Sequence, residues 1–119
     1  MKIAITSLGQ DLNSQIDPRF GRAAYILIVD TVDDGVEVFD NSENINAFKG
    51  AGIQAAAMLS KRGAEVLLTG YCGPNAYKTL QAAGVKVVND VSGKVKDAVD
   101  AFNKGNIEYA DSANVDAHW

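Results

Sequence analysis

The ten residues Leu67-Leu68-Thr69-Gly70-Tyr71-Cys72-Gly73-Pro74-Asn75-Ala76 constrain the fold more than any other stretch of the chain. Two leucines and a threonine read as the end of a buried strand, and two glycines bracket a turn. Pro74 suits the first turn of a helix, where a missing N–H costs little. A strand that passes through a short turn directly into a helix is the unit from which open α/β sheets are built. In such sheets ligands bind beyond the carboxyl ends of the strands, where helix N-termini face one crevice and favour an anion. Glycines at such a turn let main chain approach a ligand closely. Cys72 stands just before the helix, a position that tends to lower a thiol's pKa. An ordinary strand-to-helix turn has the same composition, so the stretch speaks for topology before it speaks for function.

The remaining elements follow from periodicity and turn chemistry. Lys2 to Thr6 is a short aliphatic strand, and the polar residues from Ser7 to Ser14 form a loop. Asp17-Pro18 starts a turn that carries Arg19-Phe20-Gly21-Arg22. Ala24 to Asp30 is an apolar run of strand length, as expected for a central strand buried on both faces. Asp33-Asp34-Gly35 signals a hairpin, and Val36 to Asp40 alternates as an edge strand covered on one face.

Asn41 to Lys49 is a polar loop. Gly50-Ala51-Gly52 then opens an alanine-rich helix ending near Gly63, with Ile53, Ala56, Ala57 and Ser60 at helical spacing. Glu65 to Thr69 is the fourth strand. A second helix spans about Pro74 to Ala83, with Ala76, Leu80 and Ala83 on one face and Gly84 as its stop. Val85 to Val88 is the fifth strand. Ser92 is placed to cap a third helix whose stripe is Val95, Ala98, Val99 and Phe102.

The order β-β-β-α-β-α-β-α with right-handed crossovers predicts a three-layer α/β/α fold. Its mixed five-stranded sheet has the order 3-2-1-4-5 with strand 2 antiparallel, a ribonuclease-H-like topology. Residues 1–105 read as a single cofactor-binding domain. Residues 106–119 read as a C-terminal tail, ordered only if Ile107, Tyr109 or Trp119 docks.

Charge and composition exclude several functions. A net charge of −4 argues against nucleic acid, which needs a basic face to displace counterions. No apolar run approaches the roughly 20 residues that span a bilayer, so no membrane partner is expected. The opening strand turns polar too soon for a secretory signal, and the single cysteine cannot form an intramolecular disulfide. The expected location is a reducing cytoplasm.

No catalytic residue is assigned and no enzyme activity is expected. A ribonuclease-H-type hydrolase needs several carboxylates at the carboxyl edge, where Ile5-Thr6-Ser7 and Thr69-Gly70 carry none. Cys72 and His118 lack the third group of a catalytic set and the further ligands of a zinc site. Residues 50–55 match a G-x-G-x-x-A fingerprint, but a polar loop separates them from the preceding strand and the acidic ribose partner is missing. A glycine-rich helix start that offers N–H groups to an anion remains. Arg19 and Arg22 lie at the same sheet edge as the Gly70 to Asn75 turn, and Lys49 joins them. Such residues are commonly solvated surface charges, yet an acidic protein selects an anion only through local positive charge.

Four segments recur in a known order: Met1-Lys2-Ile3-Ala4-Ile5, Asp17-Pro18-Arg19-Phe20-Gly21-Arg22-Ala23, Gly50-Ala51-Gly52-Ile53-Gln54-Ala55-Ala56 and Thr69-Gly70-Tyr71-Cys72-Gly73-Pro74-Asn75-Ala76. In these, over about residues 1–105, the chain resembles the dinitrogenase iron–molybdenum cofactor accessory family, which includes NifX-like proteins and the C-terminal part of NifB. The resemblance implies a ribonuclease-H-like fold and non-catalytic binding or carriage of an anionic metal–sulfur cluster. That cluster would contain molybdenum with copper or iron, and cluster donor and acceptor proteins would be the partners. One subgroup, the orange proteins of sulfate reducers, is similar in length and in the Gly-Ala-Gly-Ile-Gln-Ala segment. It holds a molybdenum–copper sulfide cluster without a full set of protein ligands.

One cysteine and one histidine cannot build a four-thiolate iron–sulfur site, which is compatible with either type of cargo. The expected binding set is Arg19, Phe20, Gly21, Arg22, Lys49, Gly50, Gly52, Gly70, Tyr71, Cys72, Gly73 and Asn75. In it, main-chain N–H groups around Gly50 to Gly52 and Gly73 to Asn75 donate to sulfides, and Arg19, Arg22 and Lys49 balance charge. Phe20 and Tyr71 exclude water. Cys72 either ligates a soft metal or lines the pocket. The chain is expected to be a monomer. The alternative is a regulatory module binding a nucleotide or phosphate in the same crevice.

Overall fold

The chain is described by a computed structural model over residues 1–42 and 50–115. Runs of aliphatic side chains make the central strands. Lys2–Ser7 (β1) and Tyr25–Asp30 (β2) are buried on both faces, and Val36–Asp40 (β3), Val66–Leu68 (β4) and Lys86–Val88 (β5) complete one sheet. The strand order is β3-β2-β1-β4-β5. β1 and β2 are antiparallel, with Ile3 opposite Val29 and Ile5 opposite Leu27, and β2 and β3 are also antiparallel. β4 is parallel to both β1 and β5. The predicted topology is the observed one.

Helices Ala51–Lys61 (α1) and Pro74–Ala82 (α2) cover one face of the sheet and Val95–Asn103 (α3) covers the other. On the first face Ala4, Ile26, Ile28, Leu67 and Val87 meet Ala55, Leu59, Ala76 and Leu80. On the second, Ile3, Ile5, Leu27, Val66 and Leu68 meet Val95 and Ala98 of α3, with Val99 and Phe102 partly buried beside them. Two apolar layers around a sheet buried on both sides supply the bulk of the folding free energy.

Three local expectations are corrected. In α1 the buried residues are Ala51, Ala55, Ala56 and Leu59, while Ile53, Ala57 and Ser60 are exposed. The helix turns its smallest stripe inward because its first turn packs against α2, and Ile53 would hold the two apart. α3 is capped at Lys94 rather than Ser92. The N–H groups of Val95 and Lys96 donate to the carbonyls of Ser14 and Leu12 at 2.9 and 2.8 Å, so a distant loop replaces a side-chain cap. In β3 the covered residues are Glu37 and Phe39, and Val36 and Val38 are exposed. The α3-side core includes no β3 residue, whereas on the other face Arg62 ion-pairs with Glu37 and lies 5.3 Å from the Phe39 ring centroid.

The described part of the stretch after α3, residues 106–115, docks on the sheet edge. Ile107 packs against the α3-side core and Lys86 Nζ lies 5.0 Å from the Tyr109 ring centroid. The Ala110 N–H donates to Val87 O at 2.7 Å. Lys49, His118 and Trp119 lie outside the described residues. No described helix is long and apolar enough to cross a membrane.

The two layers differ in what they tolerate. Leu67→Ala leaves a cavity in the α1/α2 layer and is expected to lower stability by about 2–5 kcal/mol. Val38→Thr, on the uncovered face of β3, should stay within about 0.5 kcal/mol of the parent. Urea unfolding followed by far-UV circular dichroism measures both.

Candidate functional site at the carboxyl edge

β1 and β4 end in hydroxyls. Thr6 Oγ1 and Thr69 Oγ1 are 2.9 Å apart and fully buried, and Thr6 Oγ1 donates to Asp17 O at 2.6 Å. This ties the loop 17–24 to the sheet edge. Asp17 is itself fully buried and folds the loop around its carboxylate: Oδ1 accepts from the Arg19 N–H at 3.1 Å and from Arg19 Nε at 3.5 Å, and Oδ2 accepts from the Ala24 N–H at 3.1 Å. From the other side Asn41 Nδ2 donates to Gly21 O at 3.0 Å and Ala23 O at 2.9 Å. Sequence reasoning read Asp17 as a turn starter and Asn41 as part of a polar loop. Both types favour side-chain bonds to nearby main chain, but burial is what makes them determinants of the site.

After β4 the chain bends at Gly70, and the Gly70–Cys72 stretch is paired along both edges. On one edge the Tyr71 N–H donates to Pro18 O at 2.6 Å and the Phe20 N–H donates to Tyr71 O at 3.0 Å. On the other, Asp90 N–H and Asn114 Nδ2 donate to Gly70 O at 2.9 and 3.0 Å, and the Cys72 N–H donates to Asn114 Oδ1 at 2.8 Å. Asn114 was not singled out from the sequence, since it falls in the stretch without periodicity.

Three small residues then stack. A Cβ on Gly21, which has φ +91°, would lie 2.8 Å from the Cα and N of Gly52. A Cβ on Gly52 would lie 2.8 Å from the Cβ of Ala76. Loop 17–24, the first turn of α1 and the first turn of α2 therefore touch at one point. Gly70 likewise abuts Pro18. The close approach that the glycines permit at Gly21, Gly52 and Gly70 is chain to chain.

The result is a pair of adjacent helix N-termini. Gly50 (φ 81°) begins α1 and Gly73 begins α2, and neither helix has a side-chain cap. A helix cannot satisfy its own first-turn N–H groups, and two such ends together carry partial positive charge. Arg19 and Arg22 bracket the Gly21 contact, with the Arg19 side chain 50% exposed. Tyr71 and Asn75 are exposed at the same edge.

Phe20 and Cys72 face inward, at 6% and 0% exposure, among Ala55, Ala56 and Ala76. Burial pushes the Cys72 thiol up from 9.0 to about 12, opposite to the lowering expected from its position before a helix. Its neighbours are apolar, and desolvation of the thiolate outweighs the helix end. The structure thus brings together the stretches 18–22, 50–52 and 70–76, and with them every described residue of the expected set; Lys49 lies outside the described residues. Among the described residues no group of three or more His, Cys, Asp or Glu could hold a metal ion.

The sequence profile of the dinitrogenase iron-molybdenum cofactor family matches residues 1–105. The chain belongs to this family. Among solved structures, the apo form of the orange protein from Desulfovibrio gigas is 46% identical, with a TM-score of 0.93 and 96% of each chain covered. A NifB-like protein from Thermotoga is 39% identical, with a TM-score of 0.83, over 96% of this chain and 97% of that one. A dinitrogenase-like protein from Methanocaldococcus jannaschii shares the fold at 19% identity, with a TM-score of 0.70 over 94% and 96% of the two chains. No curated protein sequence matches the chain. Membership associates the chain with cofactor and cluster binding.

Gly52→Ala is expected to lose about 1–3 kcal/mol to overpacking against Ala76, more than the roughly 1 kcal/mol that alanine gains in helix propensity. The net loss would show as a lowered urea midpoint. The folded state keeps the Cys72 proton and the unfolded state releases it above about pH 9. Stability should therefore fall as pH rises from 9 towards 12, and Cys72→Ala should remove that part of the slope.

Proposed function

We propose that the protein binds and carries a preformed, anionic molybdenum-containing metal–sulfur cluster without catalysing a reaction. The observation that carries this reading is the Gly21–Gly52–Ala76 contact, which sets two uncapped helix N-termini side by side beneath an arginine-bearing loop. Sulfides of the cluster accept N–H bonds from the first turns of α1 and α2, where the helix dipoles add to the attraction. Arg19 and Arg22 supply charge-assisted bonds and offset the cluster's charge. Lys49, just before Gly50 in the sequence, adds a third cation in this reading. Tyr71 covers the site from solvent, while Phe20 and the protonated thiol of Cys72 form its apolar floor.

Family membership and the likeness to the orange protein support this reading. Cargo held by main-chain donors and charge enters and leaves whole, as exchange between a donor and an acceptor protein in a reducing cytoplasm requires. In this reading the chain acts as a monomer.

Titration with tetrathiomolybdate, followed by its visible absorption, tests the reading. Arg19→Ala with Arg22→Ala should weaken binding at least about tenfold, given that each bond to a charged group contributes roughly 1.5–3 kcal/mol. Added salt should weaken the parent and affect the double variant less. Equal affinity of parent and double variant overturns the anion-pocket reading, and stronger competition by inorganic phosphate than by thiomolybdate favours the phosphate-module alternative.

A further inference from the structure

The family profile ends at residue 105, and the segment that follows reaches back to the crevice. We propose that residues 106–115 form a strap that positions the anion crevice, with Asn114 as its latch. This inference rests on the cluster-binding reading of the crevice.

The Gly70–Cys72 stretch needs neighbours on both edges, because Cys72 is fully buried and an unpaired buried main-chain group is costly. Residues 18–20 serve one edge. No strand serves the other, since β5 ends at Val88 and the chain turns away at Asp90, which has φ 61°. The carboxamide of Asn114 takes the place of a strand's peptide unit there. Its Oδ1 accepts from the Cys72 N–H at 2.8 Å, its Nδ2 donates to Gly70 O at 3.0 Å, and its own N–H donates to Cys72 O at 3.2 Å. Gly73, the next residue, is the N-cap of α2. The direction in which Cys72 is held therefore sets where the first amides of α2 point.

The strap is held by packing as well as by bonds: Ile107 packs against the α3-side core, Ala110 against the α1/α2-side core, and Lys86 Nζ lies over the Tyr109 ring. Besides Asn114, the Ala110 N–H donates to Val87 O at 2.7 Å and Tyr77 Oη donates to Ala110 O at 3.0 Å. Between the strap, α3 and the ends of β4 and β5 lies a cavity of about 540 Å³, lined in part by Leu68, Val88, Asp97, Ala98 and Ile107. A surface segment that borders an open cleft can undock while the core stays folded. Asn114 is then a positioning residue, acting on the anion through the Gly70–Gly73 turn. If the docked strap favours anion binding, the bound anion favours the docked strap by the same factor.

The test uses the full chain with tetrathiomolybdate as the probe and reads both affinity and amide hydrogen exchange. In the parent, saturating probe should slow exchange at the Ala110 and Asn114 amides. Asn114→Ala should weaken binding about fivefold, the loss of roughly one net hydrogen bond, and should abolish the probe-dependent slowing at Ala110. A residue that merely stabilised the fold would not make protection at Ala110 depend on the probe. Should Asn114→Ala fail to fold, Tyr77→Phe removes the bond to Ala110 O and leaves the turn untouched. It should weaken binding by about twofold to fivefold on the same scale. Probe binding with no change of exchange at Ala110 and Asn114 overturns the strap while leaving the crevice reading intact. Unchanged affinity in the folded Asn114→Ala variant does the same, and so does unchanged affinity in Tyr77→Phe where that variant replaces it. No binding to the parent at all overturns the crevice reading and the strap with it.

Discussion

Everything at the carboxyl edge depends on one contact in which side chains are nearly absent. Gly21, Gly52 and Ala76 lie so close that a single added carbon at either glycine would sit 2.8 Å from its neighbour. Because nothing larger intervenes, the first turns of α1 and α2 come together and the loop bearing Arg19 and Arg22 lies against them. In the first turn of α1 the same constraint applies: Ala51 and Ala55 face the core, and Ile53 is left outside. Packing this close leaves no slack, so the geometry of the edge is held to a fraction of an ångström.

Around that contact, polar side chains, most of them buried, carry main chain that has no regular partner. Thr6 and Thr69 close the ends of β1 and β4, Asp17 and Asn41 hold the loop, and Asn114 completes the turn after β4. Each meets a demand that burial creates, since main-chain donors and acceptors taken from water must be paired. The N-terminus of α3 meets the same demand with carbonyls of the loop at Leu12 and Ser14. Its dipole is thereby spent inside the protein, while those of α1 and α2 are left at the edge.

This arrangement suits recognition by main chain and charge rather than by a ligand set. Amides at helix ends place few demands on side-chain identity. The fold is shared with a relative at 19% identity. Cys72, the one residue type in the turn with obvious metal chemistry, is drawn into the apolar layer and keeps its proton.

The sequence by itself determined the strand order, the helix positions and the cluster of glycines and arginines at one edge. Those depend on local periodicity, turn residues and the handedness of crossovers, all written in neighbouring positions. Only the tertiary structure decided which face α1 buries, that loop carbonyls cap α3 and that β3 leaves Val36 and Val38 uncovered. It also decided that the Cys72 thiol is raised rather than lowered, and that Asn114 reaches across to Gly70 and Cys72. Each of these turns on desolvation or on a contact between residues far apart in the chain, and neither is a property of a residue and its immediate neighbours.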